Sequence, residues 1–334
     1  MKKTFVVSLV LLVASSLLAI GLFSCATLKE LGLTPSVNLE KVSIDSLDLE
    51  GITFNCNYAV TNPLPLSISI KDVAADILYN ENKFTSLSAD NGVKLSAGSK
   101  KSNAFKFKIP YETILSFAKG SSESNKTYLP FKINGSVSLD LGDSALVQDL
   151  ASNLPFSLSF NVPIFKPSFS LSNPKVQLPS LTQIKDSLVS GGMNAIKAAA
   201  LAGSIVAGKS VAEDAFNGIN LDLDVNFDLN VANSGSAPWK YVLNNCSLKT
   251  SSGDAIKLTT QNNEITSSSG TIPVTAKLNT LTAGKFIVQI LNKKGANPVF
   301  SFDSGLSFTE LSYAPNLPLS YSKEIPIGNF GVSK

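Results

Sequence analysis

The chain has 334 residues, enough for two domains of ordinary size, and only 16% of them are charged. It contains no histidine, and all 28 of its basic residues are lysine. That composition removes the commonest general base and metal ligand, every Ser–His or Cys–His catalytic pair, and the arginine fork that reads phosphates and bases. With a net charge of +3, nucleic acid is not an expected partner.

Residues 1–24 open with Lys2 and Lys3 and continue as an apolar run from Phe5 to Phe23. A positive start, an apolar stretch and a small residue at the boundary are the physics of a bacterial export signal. The tetrad Leu22-Phe23-Ser24-Cys25 resembles a lipobox, although Phe23 is bulkier than the usual residue there. That resemblance implies that Cys25 is diacylated and becomes the first residue of the mature chain. An uncleaved anchor is the alternative, because 19 residues just suffice to span a bilayer. Ala26 follows the cysteine, not Asp. By resemblance to enterobacterial lipoproteins, this implies sorting to the outer membrane where a cell has one. Without residues 1–24 the chain has 26 lysines against 25 acids.

After a spacer that reaches to residue 36, Val37–Leu49 alternates with a slip near Glu40-Lys41, as a strand with a bulge would. The clearest period-two pattern follows. Ile52, Phe54, Cys56, Tyr58 and Val60 point one way, and the polar residues between them point the other. Asn62-Pro63 ends that strand, because the residue before proline is driven from helical geometry. A second strand starts at Leu66, Ile68 and Ile70 and continues through Val73–Tyr79 to a hairpin-type turn at Asn80-Glu81-Asn82. Ser102–Ile109 alternates again. Pro110–Lys119 then reads as a short helix, and Tyr128–Leu141 and Leu154–Phe165 as two more strands.

Displaced by 171 positions, Val60-Thr61-Asn62 meets Val231-Ala232-Asn233. At that displacement Ile52, Phe54, Cys56 and Tyr58 meet Leu223, Val225, Phe227 and Leu229, and Ile68 and Ile70 meet Trp239 and Tyr241. Displaced by 169, Phe105, Phe107 and Ile109 meet Val274, Ala276 and Leu278; displaced by 163, Asn153–Ser157 meets Asn316–Ser320. The short helix recurs at Leu281–Asn292. Ordered matches with drifting displacement are what loop-length changes in a duplicated domain produce. Between the repeats, Pro179–Asn217 has helical composition, with Leu181, Ile184 and Leu188 at helix spacing. Ala199, Gly203 and Ala207 give that segment a smooth face for close packing, as a helical hairpin linker packed on one or both sandwiches would use. A partner-binding or membrane-surface helix is the alternative reading.

Three motifs invite chemistry. Gly203–Ser210 matches the phosphate-loop pattern, but an alanine-rich helix former precedes it where a strand is required. Ser116-Phe-Ala-Lys119 is an S-x-x-K tetrad without its companion motifs. Asp45, Asp48 and Glu50, and in the second repeat Asp222, Asp224 and Asp228, sit at strand positions whose simplest reading is a solvated face. No cofactor, metal or nucleotide is expected. Cys56 and Cys246 are expected as buried free thiols, although a disulfide is chemically permitted outside the cytoplasm.

The run LDLEGITFNCNYAV, then Val60-Thr-Asn-Pro-Leu-Pro-Leu66 and Ile68-Ser-Ile70, resembles the late embryogenesis abundant group 2 family, also called the WHy (water-stress and hypersensitive-response) domain. Residues 94–99, Lys-Leu-Ser-Ala-Gly-Ser, also fit its pattern. The resemblance covers residues 37–165 well. It covers 218–330 more loosely, where Asn233 is kept but Ser234 replaces the proline. It implies an immunoglobulin- or fibronectin-like β-sandwich with a short helix, non-catalytic and tied to desiccation and stress tolerance, with client proteins or lipids as partners.

The expected protein is mainly β, not an enzyme, and held at the bacterial cell envelope by a lipid on Cys25. Its expected parts are a signal peptide (1–24), a spacer (25–36), a first sandwich (37–168), a helical linker (169–217) and a second, divergent sandwich (218–334). An envelope carrier or sensor of a lipid or other apolar ligand is the competing function.

Overall fold

Strand β2 (Gly51–Asn62) forms as its alternation requires, with Ile52, Phe54, Cys56, Tyr58 and Val60 all buried. The computed structural model describes residues 33–120, 126–141, 152–250, 255–311 and 316–333. Cys25 and the export signal lie outside them. In it, β2 runs between β1 (Ser36–Leu47) and β5 (Ser99–Pro110) in a three-stranded sheet. A four-stranded sheet has the order β4-β3-β6-β7, from β3 (Ile68–Tyr79), β4 (Asn82–Leu95), β6 (Tyr128–Asp140) and β7 (Asn153–Pro163). The hairpin between β3 and β4 turns on Asn80 (φ 49°) and Glu81 (φ 61°). Two left-handed residues give the turn whose twist matches that of the flanking strands. Helix α1 (Tyr111–Gly120) follows β5 directly.

Two compact units divide the chain. Of the described residues, one holds those up to Ser43 and those within Thr53–Lys108 and Tyr128–Val162; the other holds those within Ile44–Ile52, Ile109–Thr127 and Pro163–Lys334. In the first, Phe54 of β2 and Phe107 of β5 both meet Phe160 of β7 edge-on, at centroid distances of 5.3 and 5.8 Å. The two sheets therefore face each other across an aromatic core.

The second unit has its own sheets. β8 (Pro167–Gln177), β9 (Asp222–Asn233) and β13 (Ser269–Asn279) lie in the order β8-β9-β13. β10 (Trp239–Lys249), β14 (Val299–Phe308) and β15 (Leu317–Glu324) lie in the order β10-β14-β15. The short β11 (Ala255–Thr259) pairs with both β10 and β13, so one side closes like part of a barrel. Phe227 of β9 stands edge-on to Phe300 of β14 at 5.6 Å, and Phe169 of β8 edge-on to Phe302 at 5.0 Å. β12 (Glu264–Ile265) adds to β10, and β16 (Gly331–Ser333) pairs in parallel with β8.

The orders β1-β2-β5 and β4-β3-β6-β7 recur as β8-β9-β13 and β11-β10-β14-β15. Gly51–Asn62 and Asp222–Asn233 are displaced by the 171 positions read from sequence. Helix α4 (Thr280–Leu291) follows β13 as α1 follows β5.

One expectation is corrected. The segment 169–217 was expected to be a helical linker, but residues 167–177 are a strand that pairs antiparallel with β9 from Pro167↔Asn233 to Gln177↔Asp224. β8 is thus the counterpart of β1. The helices α2 (Leu181–Ser190) and α3 (Ala195–Val206) are an insertion between the first two strands of the second repeat. Pro167, Pro174 and Asn173 (φ 55°) disguise the strand in sequence. The register slips at Asn173-Pro174, between Ser172 and Lys175.

α2 opens on a capping box, Ser180 with Gln183, and buries Ile184 and Leu188. α3 is capped by Asn194 and buries Ala198, Ala202 and Ile205. Ala199, Gly203 and Ala207, expected to form a face for close packing, are exposed instead.

Candidate functional site: the paired asparagine corners and the sheet faces

Each repeat bends at an asparagine that closes the second strand of its sheet. Asn62 is fully buried. Its Oδ1 accepts from the Leu64 N–H at 3.1 Å, and its Nδ2 donates to the carbonyls of Leu66 (2.8 Å), Ser96 (2.9 Å) and Leu95 (3.4 Å). Asn233 repeats the local part of this pattern. Its Oδ1 accepts from Gly235 N–H at 2.8 Å, two residues on, and its Nδ2 donates to the Ala237 carbonyl at 3.2 Å, four residues on. The same i+2 and i+4 partners at both positions show why asparagine is kept: the side chain supplies the turn's hydrogen bonds where the ladder stops.

The corners differ beyond that. Asn233 Oδ1 also accepts from Lys166 N–H at 3.0 Å, and Ser234 N–H donates to the Lys166 carbonyl at 3.0 Å. Proline, as in the first corner, has no N–H to give. A Cβ on Gly235 would lie 1.9 Å from the Ile164 carbonyl oxygen, so glycine lets the Ile164–Lys166 backbone pass. Lys166 continues outward, its ammonium paired with Glu112 of α1. That ion pair holds the Glu112 carboxyl below the usual range.

The outward faces carry hydroxyls and amides joined across strands. Asn230 Nδ2 donates to Ser172 Oγ at 2.8 Å, and Thr271 Oγ1 to Asn230 Oδ1 at 2.9 Å, a ladder across β8, β9 and β13. Thr275 Oγ1 donates to Asn226 at 2.7 Å, Ser320 Oγ to Asp303 at 2.7 Å, and Ser157 Oγ to Asn134 at 2.7 Å. On β10, β11, β14 and β15 the outward side chains line a shallow groove of about 530 Å³, among them Asn245, Ser247, Lys257, Asp303 and Ser320. A smaller cleft of about 290 Å³ opens in the first unit. Tyr58, Val73, Ala75, Leu87 and Phe105 line it, with Ser88 and Lys106 also on its wall. Sequence reading singled out neither. Both depend on which strands become neighbours, which alternation alone does not record.

The motifs are not assembled into sites that would use them. Gly203 lies inside α3, and Lys209 and Ser210 are exposed beyond the left-handed Gly208, so the strand–loop–helix of a phosphate loop is not made. Ser116 Oγ donates to the Thr113 carbonyl of its own helix at 2.8 Å. Asp48 accepts from the Glu50 and Gly51 N–H groups at 2.8 and 2.9 Å, so it shapes the turn before β2. Asp228 and Asp222 accept from Asn173 and Asn279. Among the described residues no group of three acids or cysteines could hold a metal. Cys56 and Cys246 are both buried and free. Burial pushes the Cys56 thiol up to about 12 and the Cys246 thiol to about 11.

No family model matches the chain, and no curated protein matches it. Solved structures that are similar include a protein of Arabidopsis thaliana known in solution, 15% identical, over 39% of this chain and 82% of that one, with a TM-score of 0.30. Another solution structure, of a protein described as late embryogenesis abundant (LEA), is 17% identical over 48% and 86%, with a TM-score of 0.28. A crystal structure of a protein from Archaeoglobus fulgidus is 12% identical over 38% and 97%, with a TM-score of 0.30.

Proposed function

We propose that this chain is a non-enzymatic, lipid-anchored envelope protein of the stress-protection type. On this reading two tandem immunoglobulin-like sandwiches present polar surfaces to other molecules. The duplicated asparagine corner carries it. Four buried polar side chains serve the scaffold: Asn62 and Asn233 hold their turns, Thr280 Oγ1 donates to the Ile219 carbonyl at 2.7 Å, and Ser304 Oγ to that of Leu319 at 2.8 Å. The hydroxyl–amide faces are the surface this reading assigns to function. Protection of a labile enzyme through drying should exceed that of an equal mass of albumin, and equality removes the stress-protection reading. A [³H]palmitate label that survives in Cys25→Ala removes the anchor.

The cleft beside Tyr58 and Phe105 favours a second reading, a carrier of an amphiphile with one apolar chain. Its wall mixes the apolar side chains of Val73, Ala75, Leu87 and Phe105 with Ser88 and Lys106, as an amphiphile would need. Native mass spectrometry under gentle conditions should then find a co-purifying lipid that is lost in Ala75→Trp. A clean unliganded spectrum for the wild type counts against it.

A further inference from the structure

The two repeats treat one seam differently. In the second, β11 pairs with β10 on one side and with β13 on the other, so the edges of two sheets are joined. In the first, β4 and β5 are the outer strands of separate sheets, and no ladder joins them among the described residues. The cleft of about 290 Å³ lies there, between Leu87 of β4 and Phe105 of β5. Tyr58, Val73 and Ala75 line it from the buried core, while Leu87 and Phe105 are half-buried.

The backbone donors along that edge differ too. Displaced by 169 positions, Ala104 meets Pro273 and Lys106 meets Thr275. Thr275 is taken by β11: it pairs with Thr259, whose Oγ1 donates to its carbonyl at 3.3 Å. Pro273 has no N–H to offer, which closes an edge to further strands. Ala104 keeps its N–H. Asn103 Oδ1 accepts from it at 2.9 Å, a side-chain oxygen of the adjacent residue standing where a strand would bring a carbonyl. An acyl chain would fill the cleft and leave that donor as it is. A strand would use both.

Charge narrows the occupant. β5 holds Lys100, Lys101, Lys106 and Lys108 and no acid. Glu40 of β1 pairs with Lys100, and Asp76 of β3 is taken by Lys83 and Ser86 of β4. Like charges on directly opposed strands repel, so β5 of a second copy is a poor match. A strand with acids between its apolar residues is a good one.

We infer that the open edge of β5 takes a strand from a partner polypeptide, an extended segment whose apolar side chains alternate with acidic ones. One apolar side chain seats in the cleft, and a carbonyl of the segment replaces Asn103 at the Ala104 N–H. The inference needs neither the Cys25 anchor nor protection on drying, and it competes with the amphiphile for one cleft.

A fluorescein-labelled peptide, Thr-Ile-Glu-Leu-Glu-Val-Thr, tests it against the full chain by fluorescence anisotropy. A saturable rise below about 1 mM is expected, and its absence overturns the inference. N-methyl groups on the central Glu-Leu-Glu remove backbone donors and keep the side chains, so binding should weaken about tenfold or more. Lysine in place of both glutamates should weaken it as well. Ala104→Pro copies the second repeat and should cost about tenfold or more, with the thermal unfolding midpoint unchanged. Asn103→Ala removes the acceptor that the peptide must displace and should tighten binding about twofold or more. Binding that ignores N-methylation and both variants but is displaced by lysophosphatidylcholine overturns the strand and keeps the amphiphile. A concentration-dependent dimer in sedimentation that Ala104→Pro abolishes gives the edge to a second copy and overturns the partner strand.

Discussion

The corners at Asn62 and Asn233 share their i+2 and i+4 hydrogen bonds and do different work beyond them. Asn62 donates three hydrogen bonds and accepts one, so it acts as a clamp that ties its own turn to the loop before β5. Asn233 donates one and accepts two, and one of the two comes from Lys166, on the segment that enters β8. Proline and leucine follow Asn62, whereas serine and glycine follow Asn233, where the neighbouring backbone takes an N–H from 234 and leaves no room for a side chain at 235. The difference teaches that the two corners share the local asparagine turn and part where a chain segment passes against one of them.

The sharpest way to break the comparison is Asn→Asp at each corner. At 62 the carboxylate faces three carbonyls that have lost their donor. Unfolding in urea should show a loss of at least about 3 kcal/mol, since each orphaned buried group costs about 1–3 kcal/mol. At 233 the acceptor role survives and only the bond to Ala237 is lost, so the loss should be about 1–3 kcal/mol. Equal losses would mean that the two corners are interchangeable.

Gly235→Ala comes next. Its Cβ meets backbone and not a movable side chain, so a loss of about 1–3 kcal/mol or more is expected from thermal unfolding. Unchanged stability would show that Ile164–Lys166 can move away.

Ser234→Pro restores the residue of the first corner and removes the bond to Lys166. About 1 kcal/mol should be lost, whereas Pro63→Ser should cost less, because position 63 gains an N–H without losing one. A stabilised Ser234→Pro would refute the account of why position 234 needs an N–H.

The smallest effect separates the two thiols, and it appears only in alkali. Both have folded-state values raised by burial, so each stays protonated in the folded protein while the unfolded chain ionises above an ordinary 9.0. Their contribution is complete below pH 9. It is lost as pH rises, up to about 12 for Cys56 and about 11 for Cys246. Stability curves against pH should therefore flatten more in Cys56→Ala than in Cys246→Ala. No change in slope for either would place the thiols in contact with water.

Much of the first repeat was legible because its strands carry clean alternation and its turns carry their own chemistry. Ile52 to Val60 is buried where period two puts it. Asn80-Glu81 turns where a polar pair separates two strands. The helix expected at Leu281–Asn292 appears as Thr280–Leu291. β8 was not legible, since Ser170, Ser172 and two prolines give no strong period, and only pairing with β9 makes it a strand. The outward face of α3 was misjudged for a related reason. A helix with small or apolar residues on every side does not say which side is covered, and the choice fell to Ala198, Ala202 and Ile205.

The sequence by itself determined the absence of histidine and arginine, the strand that ends at Asn62, and the matching apolar pattern 171 positions on, because composition and local periodicity act through neighbouring residues alone. Only the tertiary structure decided that the helices interrupt the second repeat and that Ser234 and Gly235 serve Lys166 and Ile164. It alone left the edge of β5 open. Those outcomes depend on contacts between residues far apart in the chain, where pairing and close approach, not local preference, set the free energy.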